Sequence, residues 1–417
     1  MTREMKNSGI EWIGDIPSEW KIVKVKSIFN IGRGRVIAKT ELEDSGYPIY
    51  SSQTKNNGIL GYIGTYDYDV DQLTWTTDGA NAGTVFLRTG KYNCTNVCGT
   101  LALKNNLNCL LYMKYALEYI AIFHKRPDTN GYKIMNNEMA DIKVTAPPLP
   151  EQKRIADFLD SKVTEIDKII SETKASIENY KEYKQSVITE AVTKGLDKNV
   201  VRKNCNIQWI NEIPKHWSEK KILHITSMPV IDGPHVSPAL YDDGIPYISA
   251  DAIENGKINF DRKRGYISKE YSEECNKRYK PRENDILVVK LGASTGKMAI
   301  VGKETNFNIW VPLAVVRCKD NISPKFVFYC MTSQYFKNEI ENGWTFGTQE
   351  TLGVKTLEQL KICIPDSLQE QQEIVDFLDG RCVEIDYLIL EKEKLITNLE
   401  EYKKSLIYEY VTGKKPV

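Results

Sequence analysis

The sequence predicts an α+β protein: two mixed α/β domains separated by two long helices that pair as an antiparallel coiled coil, with approximate two-fold symmetry. Three observations carry this. The segment Glu151 to Thr193 returns as Glu370 to Thr412, offset by 219 without a gap and identical at 22 of 43 positions. Both copies place apolar residues at a 3.5-residue period. Each copy also follows a globular stretch of similar length that opens on the same tryptophan-flanked signature.

Taken in order, the chain divides into residues 1–146, 147–198, 199–363 and 364–417. The first stretch opens with WIGDIPSEW (Trp12 to Trp20) and the third with WINEIPKHW (Trp209 to Trp217), with Trp, Ile, Ile, Pro and Trp at identical spacing. Both globular stretches mix short apolar or alternating runs, such as TVFLR (Thr84 to Arg88) and DILVVK (Asp285 to Lys290), with Gly, Asn and Asp turns. Each holds one helix candidate, near Leu107–His124 and Pro324–Glu341. Fainter marks recur in the same order: GYPIYS opposite GIPYIS, GANAG (Gly79 to Gly83) opposite GASTG (Gly292 to Gly296), and Asn96 with Leu101–Ala102 opposite Asn308 with Leu313–Ala314. One fold is used twice.

In the first helical copy, steps of four and three select Leu159, Val163, Ile166, Ile170, Thr173, Ile177, Tyr180, Lys184, Val187 and Ala191. The second copy gives Leu378, Cys382, Ile385, Ile389, Lys392, Ile396, Leu399, Lys403, Leu406 and Tyr410, and its polar members fall at the same steps. This is a coiled-coil seam. Pro150 suits a first helical turn, Ser367 with Glu370 fits a capping box, and Gly195 and Gly413 stand where left-handed caps belong. Each helix would run roughly 65 Å. A stripe of that length must be buried. The other copy is the expected partner; the alternatives are packing on its own domain or dimerisation between chains.

Composition narrows the class. The 417 residues are 41% hydrophobic, a globular value that fits two or three domains. No apolar run approaches a membrane span, and MTREMKNSGI lacks the apolar core of a signal peptide, so a cytoplasmic protein without membrane contact is expected. Nine scattered cysteines without a CxxC pair, and four scattered histidines, read as reduced thiols with no metal site. The formal net charge is zero, but residues 1–146 and 199–363 are net +2 and +4 while 147–198 and 364–417 are net −1 and −5. The globular parts therefore suit a polyanion better than the helices do.

The chain offers no convincing catalytic centre. KLGASTGKM (Lys290 to Met298) has three residues between its glycines and a Met after the Lys, so it fails as a phosphate loop. Gly32-Arg33-Gly34-Arg35 is too short for a nucleotide fingerprint. Polar loops are better represented. They supply candidate nucleic-acid contacts at Gln53, Lys55 and Asn56, at Asn81, at Lys125 and Arg126, at Arg262, Lys263 and Arg264, at Lys290, Ser294, Thr295 and Lys297, and at Thr348 and Gln349. The run NKRYKPR (Asn276 to Arg282) also interleaves charge with Tyr279. Lys and Arg hold phosphates, and amide side chains read base edges.

With TAPPLPEQKRIADFLD leading into the first helix, CIPDSLQEQQEIVDFLD into the second, and the paired openers, the whole chain resembles the specificity subunit of type I restriction–modification enzymes. The second copy departs in having Pro365-Asp366-Ser367-Leu368 for the Pro-Pro-Leu-Pro run. The resemblance implies two target recognition domains, each reading one half of a bipartite double-stranded DNA site, with the helices setting the gap. It implies docking of two modification subunits that carry S-adenosylmethionine and methylate adenine, and of two restriction subunits that use ATP and magnesium. The chain itself would be non-catalytic and hold no cofactor. A coiled-coil scaffold that binds no DNA, and a nuclease in its own right, are the competing readings.

Overall fold

The computed structural model describes residues 3–129, 131–343, 345–346 and 350–417. The chain forms two compact units, Met1–Lys174 with Glu393–Val417, and Ala175–Lys392. The division falls inside the long helices, Leu149–Lys194 and Leu368–Val411, so each unit holds half of each helix.

In the first unit, strand Met5–Asn7 pairs with Asp15–Pro17, burying Ile13 of the turn between them and Ile16 of the second strand. Strand Lys21–Lys24 pairs with Lys143–Ala146, which runs straight into the first long helix. Between these strands lies an antiparallel sheet in the order Val85–Arg88, Gln72–Thr76, Cys98–Leu103, Phe29–Arg33. A second sheet takes Ile59–Ile63, Tyr47–Tyr50, Lys91–Cys94 and Tyr68–Asp69, with Tyr47–Tyr50 and Lys91–Cys94 parallel. Helix Leu110–Ile120 is apolar on most sides and fills the core with Tyr112, Met113, Ala116, Leu117 and Ile120.

The second unit repeats this plan. Its antiparallel sheet runs Met298–Ile300, Ile286–Val289, Leu313–Val316, Ile231–Asp232, and Ile245–Ile248 pairs in parallel with Asn308–Ile309. Trp217–Lys221 pairs with Lys361–Pro365 ahead of the second long helix. The single helix expected near Pro324–Glu341 is two, Pro324–Thr332 and Gln334–Asn342. The break falls at Ser333, extended and fully buried, whose hydroxyl donates to the Cys330 carbonyl at 2.5 Å and competes with helical bonding there.

The repeated Glu-Gln pairs tie each helix to the domain before it. Trp20 donates its indole N–H to Glu151 at 3.0 Å, and Trp217 donates to Glu370 at 2.9 Å. Gln152, 1% exposed, accepts from the Cys109 N–H at the start of helix Leu110–Ile120 and donates to the Pro147 carbonyl, both at 2.8 Å. Gln371 does the same with the Ser323 N–H at 2.8 Å and the Pro365 carbonyl at 3.0 Å. Both glutamines thus satisfy a helix-end donor and a strand-end acceptor that burial would otherwise leave unpaired. Tyr115 donates to Asp160 and Tyr329 to Asp379, at 3.0 and 2.8 Å. The capping box expected at Ser367 is half made. Ser367 Oγ accepts from the Glu370 N–H at 3.4 Å, but the Glu370 carboxylate turns to Trp217 and His216 instead.

Within each unit the two helices run antiparallel. In the first, Phe158 packs on Tyr410 and Asp167 pairs with Lys403, so contacts on one helix recede as the other advances. Val163, Ile166 and Ile170 share a core with Leu406, Ile407 and Val411. In the second unit, Ile188, Ala191 and Val192 share a core with Ile374, Leu378 and Cys382, and Lys184 pairs with Asp386 at 2.7 Å. The expected seam residues Leu159, Ile166, Ile170, Ile177, Leu378 and Ile385 are buried. Tyr180, Ile389, Ile396 and Leu399 are only half-buried. Gly195 and Gly413 are left-handed, both at φ +72, as a helix end requires. All nine cysteines are free, and no helix among the described residues is long and apolar enough to cross a membrane.

Candidate nucleic-acid interface

The loop Ser51–Gly58 leaves strand Tyr47–Tyr50 and returns into Ile59–Ile63, closed by Ser51 N–H donating to the Gly58 carbonyl at 3.0 Å. Asn56, Asn57 and Gly58 are all left-handed, which turns the chain sharply and leaves Lys55 and Asn56 exposed. Gln53 is half-buried, and its amide donates to the Ile59 carbonyl, so it braces the loop from within.

The loops at Gly79 and Gly292 are one turn built twice. In the first unit Ala82 N–H donates to Gly79, Gly83 to Thr76 and Thr84 to Asn81, at 3.1, 2.9 and 3.1 Å. In the second, Thr295 donates to Gly292, Gly296 to Val289 and Lys297 to Ser294, at 2.9, 2.8 and 3.0 Å. The flanking glycines match, at φ +91 and +91 against +86 and +88. Asn81 and Lys297 are exposed, while Ser294 and Thr295 are half-buried. Asn81 and the Ser51–Gly58 loop lie toward opposite ends of strand Val85–Arg88, because the Gly79 turn enters that strand and Arg88 closes it.

Folding joins the Gly79 loop to the hairpin Arg126–Asp128 and Gly131–Lys133, since Tyr132 and Lys133 pair with Gly79 and Asp78. Lys125 lies over the Tyr132 ring at 4.3 Å, and Arg126 is engaged by Glu138 at 2.7 Å. Beside them is a cleft of about 400 Å³ lined in part by Arg33, Asp78, Asn96 and Lys133. Lys133 bonds Asp128 at 2.7 Å, and Arg33 reaches Asp78 at 3.5 Å. Arg33 was legible only as part of a short Gly-Arg run, and Lys133 not at all.

In the second unit Arg264 stacks on Trp310 with its guanidinium 3.6 Å from the ring centroid, and Lys263 lies over Tyr266 at 4.7 Å. Arg262 faces Glu254 at 3.6 Å. Lys290 is not a surface cation: its side chain is 8% exposed and its ammonium meets the buried Asp232 carboxylate at 3.0 Å. The same carboxylate holds Arg278 at 2.8 Å and His235 at 3.3 Å, both largely exposed. Burial pushes the Asp232 pKa up, but Lys290, Arg278 and His235 outweigh it and hold it below the usual aspartate value. Gly233 runs against the main chain of Trp310, which sets this cluster beside the Arg264 stack. His235 and Trp310 escaped sequence reasoning. Arg278 stood in a basic run, but nothing in the sequence pointed to Asp232. Tyr279 of that run is buried, with its hydroxyl on Asp285 at 2.8 Å, and belongs to the core. Thr348 and Gln349 lie outside the described residues.

Each unit therefore presents exposed Lys, Arg and Asn side chains on loops held by a buried framework, with aromatic rings under several of the cations. This suits phosphate contact with polar groups left for base edges. A family model described as type I restriction modification DNA specificity domain matches residues 17–179 and 237–400. The chain is 39% identical over 148 residues to the putative type I specificity subunit S.MpnORF289P N-terminus of Mycoplasma pneumoniae, a match covering 34% of this chain and 76% of that protein. It is 26% identical over 418 residues to the type I restriction enzyme MjaVIII specificity subunit of Methanocaldococcus jannaschii, covering 96% of this chain and 93% of that one. A solved chain, from work on complex assembly and conformational transition of the type I R-M system, shares the fold. It aligns with a TM-score of 0.69 at 14% identity, over 96% of this chain and 99% of its own.

Proposed function

Because the chain belongs to the type I restriction modification DNA specificity family, we propose that it reads a bipartite double-stranded DNA site, one half per globular domain. The duplicated Gly79 and Gly292 turns carry this reading. One backbone device on equivalent strands bears Asn81 in one domain and Ser294, Thr295 and Lys297 in the other. A shared framework with different side chains is what two unlike half-sites need.

In this reading residues 1–146 and 199–363 are the two recognition domains, and residues 147–198 and 364–417 are the helical spacer that sets the unread gap. Lys55, Lys125, Arg262, Arg264 and Lys297 hold phosphates, while Asn56 and Asn81 face bases. Two modification subunits dock on the two halves and supply S-adenosylmethionine and adenine methylation. Two restriction subunits supply ATP-driven, magnesium-dependent cleavage. The chain itself is non-catalytic and acts in the cytoplasm. Exchanging residues 22–145 for those of a relative, then mapping methylated adenines, should change one half-site and leave the other. A change in both halves would sink the one-domain-per-half assignment. A salt-insensitive complex, or none, on bipartite duplex with the modification subunit present would favour a scaffold that binds no DNA.

A further inference from the structure

Arg88 is 1% exposed, and among the described residues no carboxylate pairs with it. Its guanidinium is sandwiched between Tyr50 and Phe86, 3.6 and 4.2 Å from their ring centroids. Nε donates to Thr74 Oγ1 at 3.1 Å and Nη1 donates to the Asn57 carbonyl at 2.8 Å, while Nη2 has no hydrogen-bond partner among the described residues. Burial pushes its pKa down. A buried arginine without a counter-ion is costly, and replacing it with an apolar residue of similar volume is often neutral or stabilising.

The second domain carries that replacement. Val301 stands at the matching position, the fifth residue after the second glycine of the repeated turn, and is 1% exposed in an apolar cluster with Ile253. An Asn-Gly pair of matching backbone recurs between the equivalent strands, Asn57 and Gly58 at φ +51 and +80 and Asn255 and Gly256 at φ +49 and +77, but the second connection is longer and forms its own hairpin, Ile253–Glu254 with Lys257–Ile258. The second loop rests on apolar side chains. In the first, the guanidinium grips the Asn57 carbonyl from beneath, and a Cβ at Gly58 would meet Nη2 at 2.9 Å. The stem could be filled more cheaply, so the arginine's distinct contribution is its hydrogen bond to the loop.

We propose that Arg88 is a positioning residue for DNA reading by the first domain. It holds the Ser51–Gly58 loop in the conformation that presents Lys55 and Asn56 to the first half-site. The proposal rests on the bipartite reading above. It is tested in the assembled modification complex acting on a randomised duplex library, with methylated adenines mapped. Wild type should yield two half-sites. R88M, which copies the apolar character of Val301, should lower discrimination in the first half-site roughly tenfold and leave the second unchanged. R88K, which keeps the charge and one donor, should recover part of the loss. If R88M fails to assemble, T74V takes its place, because it removes the hydroxyl that accepts from Arg88 Nε and leaves the loop's own residues unchanged. Unchanged first-half discrimination, or equal blurring of both halves, would overturn the positioning role. Failure of wild type itself to read two halves would instead overturn the underlying reading, and is seen without any variant.

Discussion

Lys403 reaches both carboxylate oxygens of Asp167 at 2.8 Å, and the equivalent residues 219 positions away reverse the roles of the helices, with Lys184 on Asp386 at 2.7 Å. The later of the two polar steps in each copy, Lys184 or Lys403, is thus one half of a cross-helix ion pair, one in each unit. Charged residues at such positions specify register and orientation more than they add stability. The variant D167K should lower stability by about 1 kcal/mol or less, and adding K403D should restore most of it. Urea unfolding of the single and double variants measures this, and no recovery in the double variant would show that the pair is not coupled.

Gln152 and Gln371 each satisfy a buried N–H and a buried carbonyl. Replacing either by Ala strands both backbone groups, at a cost of about 2–4 kcal/mol. The loss should appear as a lower urea midpoint, with greater protease sensitivity in the affected unit. A midpoint within error of wild type would refute the bridging role.

Asp232 gathers Lys290, Arg278 and His235, and its folded pKa lies below the ordinary 3.8. A depressed carboxylate contributes stability that is present above the unfolded pKa and lost as pH falls through the folded one. D232N leaves Lys290 buried without a counter-charge and should cost about 3 kcal/mol at pH 7. The gap between variant and wild type should then shrink only below about pH 3.8. A constant gap across that acid range, measured by denaturant titration, would contradict the assignment.

If the helices set the gap, seven residues added to both, near Ser171 and Leu390, preserve the 3.5-residue seam and add about 10.5 Å, roughly three base pairs. Methylation mapping should show a longer gap with both half-sites retained. An unchanged gap would remove the ruler.

The helices, their antiparallel pairing, their left-handed glycine ends and the Trp-flanked openers were legible because they obey periods and repeat in order. Trp20 and Trp217 stood out as repeated residues, although only folding revealed Glu151 and Glu370 as their acceptors. The Gly79 and Gly292 turns were matched by sequence, and their hydrogen bonds agree residue for residue. The candidate interface was partly hidden. Lys290 looked like a loop cation and is buried on Asp232, while Trp310 and His235 stood in no basic run.

Local pattern settles what this chain builds: two domains of one plan and two long helices with a seam, since backbone geometry converts periods of 3.5 and 2 directly into faces. Tertiary structure decides which charges face outward. Whether Arg88, Lys290 or Arg278 is a buried anchor or an exposed cation depends on strands and loops far away in sequence. Their carboxylates, rings and carbonyls meet only after folding and carry no signature of their own in the chain.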